Sequence, residues 1–476
     1  MGKIISLVGN LIFVFTPGFS ISVLYMLQST EYKTKEYMRW LTHFPDFRHI
    51  QHRKTLVWTP KIKILALVSW AAYILTFVVA AVVMYRYGIY GLASIILIPL
   101  IQAIVGPFIN WLGYNVYQRH QEAKMITQAQ SLIEGHPGIK IGIAGSYGKT
   151  TVKEILRTVL EERFHVAATH ANYNTFIGIS RFVRKLDGTE DVLLFEYGEE
   201  RRDDIKRFTA FTKPSIGVMT GISTAHLSSF GTVENIIETI FDLERAPSMR
   251  YVYKNYDDTN IRQHGAMTDL DYTTKGCDGW NVTHIKSTLQ GMKFSVTKQD
   301  THIDIKTHLI GEHLIGPIVA CIAIAYRLGM STDEIKRGMS RVQPFEHRMQ
   351  PRVLGGALII DDTYNGNESG INAGLELLKT SGAKRRIYVT PGLVEQGTQT
   401  REVHVRIGNK IAECADIVIL MKNSVTQYIK QGISERGYAG EIIEIDIPLE
   451  FYQNIDHFIA SGDVVLMQND WTDNYT

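Results

Sequence analysis

Residues Ile139 to Arg157 read IKIGIAGSYGKTTVKEILR. The apolar run Ile141 to Ala144 predicts a short buried strand. Gly145, Ser146, Tyr147 and Gly148 then turn the chain into a helix that starts at Lys149. Glycines let a backbone approach a phosphate with no Cβ in the way. The N–H groups at a helix start, together with the helix dipole, favour an anion. Lys149 adds a point charge for terminal phosphates, and the Thr150 hydroxyl suits Mg²⁺, with Thr151 beside it. The match to G-x-x-x-x-G-K-[ST] is imperfect, because the first glycine is Gly142 and Ile143 holds the expected slot. Strand, loop, GKT and amphipathic helix nevertheless coincide, and the stretch reads as a nucleotide-binding loop.

Outward from this loop the pattern alternates strand and helix, which predicts an α/β fold with a parallel sheet. Expected strands are Ile141–Ala144, Val192–Phe195, Ile216–Met219 and Tyr251–Tyr253. Expected helices are Thr150–Arg163, Ile177–Lys185 and Val233–Leu243. Asp271 to Lys306 alternates polar and apolar and predicts short antiparallel strands, followed by helices at Leu314–Leu328 and Thr332–Ser340. A second α/β unit begins near Arg348, with strands at Ala357–Ile360, Arg386–Val389, Asp416–Leu420, Ile442–Ile445 and Val464–Met467. The chain of 476 residues is too long for one core. Its expected division is residues 1–137, 138–344 and 345–476. A formal net charge of +2 gives no nucleic-acid signal. Three scattered cysteines suit a reducing compartment and form no C-x-x-C metal site.

Upstream of the loop lie three apolar stretches. Ile4 to Met26 is uncharged but holds Pro17; Ile64 to Tyr85 is uncharged; Gly88 to Trp111 holds Pro99 and Pro107. A helix of about 22 residues spans about 33 Å, close to the hydrocarbon thickness of a bilayer. The expectation is about three transmembrane helices, with the first alternatively a signal-like or re-entrant segment. Between the first two lies a basic segment with Lys33, Lys35, Arg39, Arg48, Arg53, Lys54, Lys61 and Lys63. The positive-inside rule places it in the cytoplasm. The second and third stretches then form a hairpin that returns the chain to the cytosol, where ATP is. Trp58, Trp70, Tyr85, Tyr87 and Trp111 are candidate interfacial anchors. The expected location is the inner membrane, with membrane lipid as a partner.

Several downstream residues have types suited to phosphate chemistry. Glu196 ends the strand in VLLFEYGEE, where a carboxylate near a phosphate loop is useful as an Mg²⁺ ligand. His226, in TGISTAHLSSFGT, follows the next strand and suits a second metal or a phosphate contact. Asn172 and Asn174, in THANYNTFIG, offer amides for a phosphoryl or carbonyl oxygen. Arg348 suits a γ-phosphate, and Asp362, in the run Asp361, Asp362, Tyr364 and Asn365, suits a ribose hydroxyl. Each residue alone has an ordinary structural alternative as a cap, a core histidine or a surface ion pair.

Taken in order, these motifs resemble the Mur ligase family over about two thirds of the chain, from Ile139 onward. The parts are GSYGKTT at Gly145–Thr151, ANYNTFIG at Ala171–Gly178, Glu196 in FEYGEE, and AHLSSFG at Ala225–Gly231. KNYDD at Lys254–Asp258, GEH at Gly311–His313, EHRM at Glu346–Met349 and DDTYNGN at Asp361–Asn367 follow. VEQG at Val394–Gly397 precedes His404 and Gly408. The resemblance implies a P-loop central domain and a Rossmann-like C-terminal domain that close on ATP. It implies an acyl phosphate made from a substrate carboxylate and displaced by an amine, leaving an amide. By position, Lys149 would cradle phosphates, Thr150 and Glu196 would hold Mg²⁺, and His226 would hold a second metal. Asn172 would contact the acyl phosphate, with Arg348 and Asp362 on phosphate and ribose.

The chain departs from the family in places. The usual carbamylated lysine falls in Thr239-Ile240-Phe241-Asp242, so the expectation is that Glu238 or Asp242 supplies the missing charge or that the second metal is weakly held. The usual H-N-x-x-N is His313-Leu314-Ile315-Gly316-Pro317, with both asparagines gone. A C-terminal K-G-S region is replaced by Gln468-Asn469-Asp470. At the front, apolar stretches occupy the length of a domain that grips UDP in relatives. The expected substrates are ATP, an amino acid or dipeptide, and a UDP-linked, lipid-linked or polymeric envelope acceptor. The competing readings are a ligase for a capsule-like polypeptide and a membrane scaffold built on a degenerate ligase.

Overall fold

The computed structural model describes residues 9–30, 32–42, 47, 56–88, 94–170, 173–223, 227–364, 366–393 and 396–469. Asn172, His226 and Asn365 lie outside the described residues, as do Arg48, Arg53 and Lys54 of the basic segment. The chain forms two units, residues 1–124 and 125–476.

In the first unit, helices Pro17–Ser29, Pro60–Tyr87 and Leu97–Gly113 pack on one another. Pro60–Tyr87 has 28 residues and faces outward with Leu67, Ile74, Leu75 and Phe77 exposed. The helical run Ser94–Gly135 continues past Gly113 through a π-helical turn at Tyr114–Gln118. Among the described residues, these two helices are long and apolar enough to cross a membrane. Of the first apolar stretch, Ile4–Met26, residues 4–8 lie outside the described residues. Thr16 is extended, at φ −94° and ψ 158°, as a residue before proline prefers. The helix that follows, Pro17–Ser29, has 13 residues and a length of about 20 Å, short of a bilayer core. Polar side chains fasten the unit internally. Ser20 Oγ donates to Gln102 Oε1 at 2.6 Å, and Tyr37 OH donates to the Ala103 carbonyl at 2.8 Å.

Among the described residues the second unit holds three sheets. The first contains β1 (Ile139–Ala144), β2 (Val166–Ala168), β3 (Val192–Glu196), β4 (Ile216–Met219) and β5 (Tyr251–Lys254). Its order is β2-β3-β1-β4-β5, all parallel. Helix Lys149–Leu160 buries Val152, Ile155, Leu156 and Val159 against one face, in a core that also takes in helix Ile315–Arg327. The other face holds Leu193, Phe195 and Met219 under the helices Phe176–Val183 and Asp204–Thr212. β6 (Gly276–Cys277), β7 (Trp280–Thr288), β8 (Gly291–Lys298) and β9 (Thr301–Thr307) form an antiparallel sheet.

The third sheet contains β10 (Gln350–Leu354), β11 (Ala357–Asp362), β12 (Arg386–Thr390), β13 (Ile417–Met421), β14 (Glu441–Ile445) and β15 (Val464–Gln468). Its order is β10-β11-β15-β12-β13-β14. β10 is antiparallel to β11 and the other strands are parallel. The sequence reading missed β10, an edge strand whose Arg352, Val353 and Leu354 are exposed.

Candidate active site

The loop after β1 is shaped by close approach. Gly145 lies at φ +144°, and a Cβ there would fall 2.3 Å from Thr220 Oγ1 and 2.9 Å from the Gly221 carbonyl. Ser146 N donates to that carbonyl at 2.7 Å, so the loop is seated on the chain leaving β4. Gly148, at φ +77°, caps helix Lys149–Leu160 in a left-handed conformation. Tyr147, given no role by sequence, donates its hydroxyl to Asp258 Oδ2 at 2.7 Å. Burial and the Asp258 charge push the Tyr147 phenol up. Asp258 also accepts from the backbone of Ile222 and Ile261, tying the loop to two further segments. The Ser146 hydroxyl is buried with no hydrogen-bond partner in the structure. A small donor left unpaired in a glycine cradle suits an anion's oxygen.

Thr150 Oγ1 donates to Glu196 Oε1 at 2.9 Å and accepts from Arg348 Nη2 at 3.1 Å. Glu196 is 4% exposed, so it is not an ordinary surface carboxylate at a strand end. Arg348 comes from the C-terminal lobe, and its guanidinium carbon lies 4.3 Å from the centre of the Tyr364 ring. Burial pulls the Arg348 guanidinium down from its usual value. A hydroxyl and a carboxylate are hard oxygen donors, the kind Mg²⁺ takes one or two at a time alongside phosphates and water. Among the described residues no group of three His, Cys, Asp or Glu side chains gathers as a metal site.

Two charged residues at this point went unnoticed in the sequence. Lys153 is fully buried; its ammonium lies 3.0 Å from Glu196 Oε2 and donates to the Thr169 carbonyl at 2.7 Å. Glu199 pairs with Lys149 Nζ at 2.9 Å and 3.2 Å, and Lys149 also donates to the Gly145 carbonyl. Glu238 and Asp242, expected to replace a missing lysine, do not line the cavity beside the loop. Asp242 instead sits near Arg245, at 3.4 Å.

That cavity, of about 630 Å³, opens between the central and C-terminal lobes. Ser146, Gly148 and Thr151 line one end, and Arg348, Asp362 and Tyr364 come from the other lobe. Leu309, Ile310, Leu314, Pro317 and Phe345 make an apolar wall, suited to a flat ring. Leu314 and Pro317 stand where the resemblance leads one to expect asparagines. His313 also lines this cavity.

Burial pushes Asp362 up to about 6, although Gln468 Nε2 and Met349 N both donate to it. Between its unfolded value near 4 and about 6, the folded chain holds a proton that the unfolded chain lacks. Stability from this group is therefore present below pH 4 and is lost as pH rises through 6. Asp362→Asn is expected to be more stable than the parent at pH 7.5 by about 3 kcal/mol, with the gap closing towards pH 4. Denaturant melts at both pH values check this.

Fold and site together define a two-lobed α/β protein: a glycine-cradled loop on one parallel sheet, faced by an arginine and an aspartate from the second lobe. Residues 143–325 match the Mur ligase middle domain and residues 347–468 the Mur ligase glutamate ligase domain. The chain belongs to the Mur ligase family.

The UDP-N-acetylmuramoyl-tripeptide–D-alanyl-D-alanine ligase of Treponema pallidum (strain Nichols) is 32% identical over 276 residues, covering 56% of this chain and 58% of the relative. The ligase of the same name from Mycobacterium tuberculosis (strain ATCC 25618 / H37Rv) is 29% identical over 299 residues, covering 60% of this chain and 58% of the relative. The chain thus spans under two thirds of the length of these curated relatives. A MurF ligase structure from Thermotoga maritima in complex with ADP aligns with a TM-score of 0.64 at 23% identity, covering 74% of this chain and 81% of that one. MurF from Acinetobacter baumannii aligns with the same TM-score at 20% identity, covering 73% and 77%. Residues 1–142 lie outside both domain matches.

Proposed function

We propose that this protein is a membrane-anchored, ATP-dependent amide ligase of peptidoglycan-type envelope synthesis. The observation that carries the reading is the meeting of Arg348 from one lobe with Thr150 and Glu196 of the other, beside a glycine-cradled loop. The names of the relatives support a muramoyl-peptide acceptor and a D-alanyl-D-alanine amine.

In this reading the acceptor carboxylate attacks the γ-phosphorus of ATP, giving an acyl phosphate and ADP. The amine then adds to the acyl carbon, and inorganic phosphate leaves as the amide forms. Lys149 and the loop N–H groups bind the phosphates and hold them in line. Arg348 balances charge on the transferring group. Thr150 and Glu196 would hold a magnesium ion, which supplies charge neutralisation at the phosphates when bound. Asp362 orients the ribose, and the apolar wall around Leu314 and Pro317 takes the base by shape. Asn172 and His226 keep their expected roles on the acyl phosphate and a second metal as part of the proposal.

The helices Pro60–Tyr87 and Ser94–Gly135 support anchoring in the inner membrane, both lobes in the cytoplasm. With two spans and the basic segment inside, the short helix Pro17–Ser29 starts on the cytoplasmic side. An acceptor met at the membrane face, lipid-linked or UDP-linked, fits this placement.

The test is ADP release by the full chain in nanodiscs. It is expected only when D-alanyl-D-alanine and a muramoyl-peptide acceptor are both present, and it is expected to vanish in Lys149→Ala. Comparing soluble UDP-muramoyl peptide with its lipid-linked form decides the acceptor. ADP release indifferent to both substrates rejects the ligase, and full activity in Lys149→Ala rejects the site.

A further inference from the structure

The ammonium of Lys149, at the mouth of the phosphate loop, is already occupied. Glu199 holds it with both carboxylate oxygens, at 2.9 Å and 3.2 Å. The pair is nearly sealed: the Lys149 side chain is 13% exposed and that of Glu199 2%. Glu199 follows Glu196 in the same strand exit, so the carboxylate on Thr150 and the carboxylate on Lys149 enter the site from one short segment.

We infer that Glu199 is a specificity-determining residue that makes the loop accept metal-complexed nucleotide and reject free nucleotide. The inference rests on the nucleotide reading above and goes beyond it. A metal-free triphosphate brings several negative charges to Lys149, and to engage the ammonium it must compete with a carboxylate that water barely reaches. The displaced Glu199 would then face like charge with little screening, which is unfavourable for both. A nucleotide carrying a divalent cation brings the compensating charge with it, so Glu199 then has a cation to face. Glu199 therefore penalises one form of the nucleotide and tolerates the other, which is how selectivity by repulsion works. The same contact keeps Lys149 pointed into the loop before any ligand arrives.

The experiment is calorimetric binding of β,γ-imido-ATP to the full chain in nanodiscs, in excess Mg²⁺ and in EDTA, for the parent, Glu199→Gln and Glu199→Asp. A charge-assisted contact of this kind shifts affinity by about ten- to a hundredfold. The parent is expected to bind the Mg²⁺ complex at least about tenfold more tightly than the free analogue. Glu199→Gln is expected to tighten metal-free binding by about tenfold or more while leaving binding of the Mg²⁺ complex within about threefold. Glu199→Asp is expected to follow the parent.

Equal weakening of both forms in Glu199→Gln, or no change in either, overturns the inference. A parent that binds both forms with equal affinity overturns it even where Glu199→Gln fails to fold. A folded parent that binds neither form rejects the nucleotide reading itself, whereas Mg²⁺-independent binding rejects the Glu199 role alone.

Discussion

Arg348→Ala is expected to lower amide-forming turnover by about 10³- to 10⁵-fold, the range seen when an arginine that meets a transferring phosphoryl group is removed. Arg348 crosses from one lobe to the other to reach the Thr150 hydroxyl at 3.1 Å. Its backbone is bent to allow this. His347 and Met349, on either side, lie at φ +58° and +48°, and Phe345 and Arg348 pair across the turn. The Tyr364 N–H donates to the His347 carbonyl, and the Met349 N–H donates to Asp362, so the turn is fastened to the end of β11. Tyr364 supports the guanidinium face-on at 4.3 Å. Burial lowers the guanidinium from its usual value, but arginine starts so high that it remains a cation.

Lysine does not restore this arrangement. It lacks the planar fork and the stacking face, so Arg348→Lys is expected to recover less than about tenfold of the loss. Affinity for ADP, which has no γ-phosphate, is expected to move far less than turnover. Single-turnover ADP formation together with ADP titration separates the two effects. Turnover within tenfold of the parent in Arg348→Ala would sink the claim that the second lobe takes part in phosphoryl transfer.

The sequence made some of this arrangement legible and hid the rest, for physical reasons. β1, the turn at Gly145 and Gly148, and the helix from Lys149 were readable because glycine, lysine and threonine at that spacing have one common use. Glu196 and Arg348 were readable as chemistry-bearing types, and the structure brings them to one hydroxyl. Hydropathy counts side chains, so it does not register the extended residue Thr16 that Pro17 imposes inside the first apolar stretch. β10 was missed because QPRVL has no apolar alternation and leans on the edge of β11.

Lys153 and Glu199 were missed for a different reason. A lysine and a glutamate read as solvated residues, and their burial depends on partners supplied by other segments of the fold. A sequence-level clue to Lys153 does exist. It directly follows Val152 and lies one turn after Lys149, with Ile155 and Leu156 beyond Glu154, so a lysine falls at the margin of an apolar stripe.

Lys153→Met is expected to destabilise the central lobe by about 3–5 kcal/mol, the cost of stranding one member of a buried ion pair. Methionine fills similar space, so packing loss is a minor part of that figure. The main cost is Glu196, 4% exposed, left without the ammonium 3.0 Å from its Oε2. The Thr169 carbonyl also loses its donor from Lys153. The Thr169 hydroxyl accepts from the Glu196 backbone N–H, so the same residue holds both members of the pair.

Because the cost is that of an unpaired charge, neutralising the partner should recover most of it. Lys153→Met with Glu196→Gln is expected to regain more than half of the lost stability, while Glu196→Gln alone is destabilising. Hydrogen exchange along helix Lys149–Leu160 reads all three variants in the lobe concerned. The double variant is still expected to be inactive, because an amide replaces the carboxylate that Thr150 meets. Strict additivity of the two single changes would mean that Lys153 only fills space. Coupling of the expected sign would make the buried lysine the residue that keeps the Glu196 carboxylate aimed at the phosphate loop.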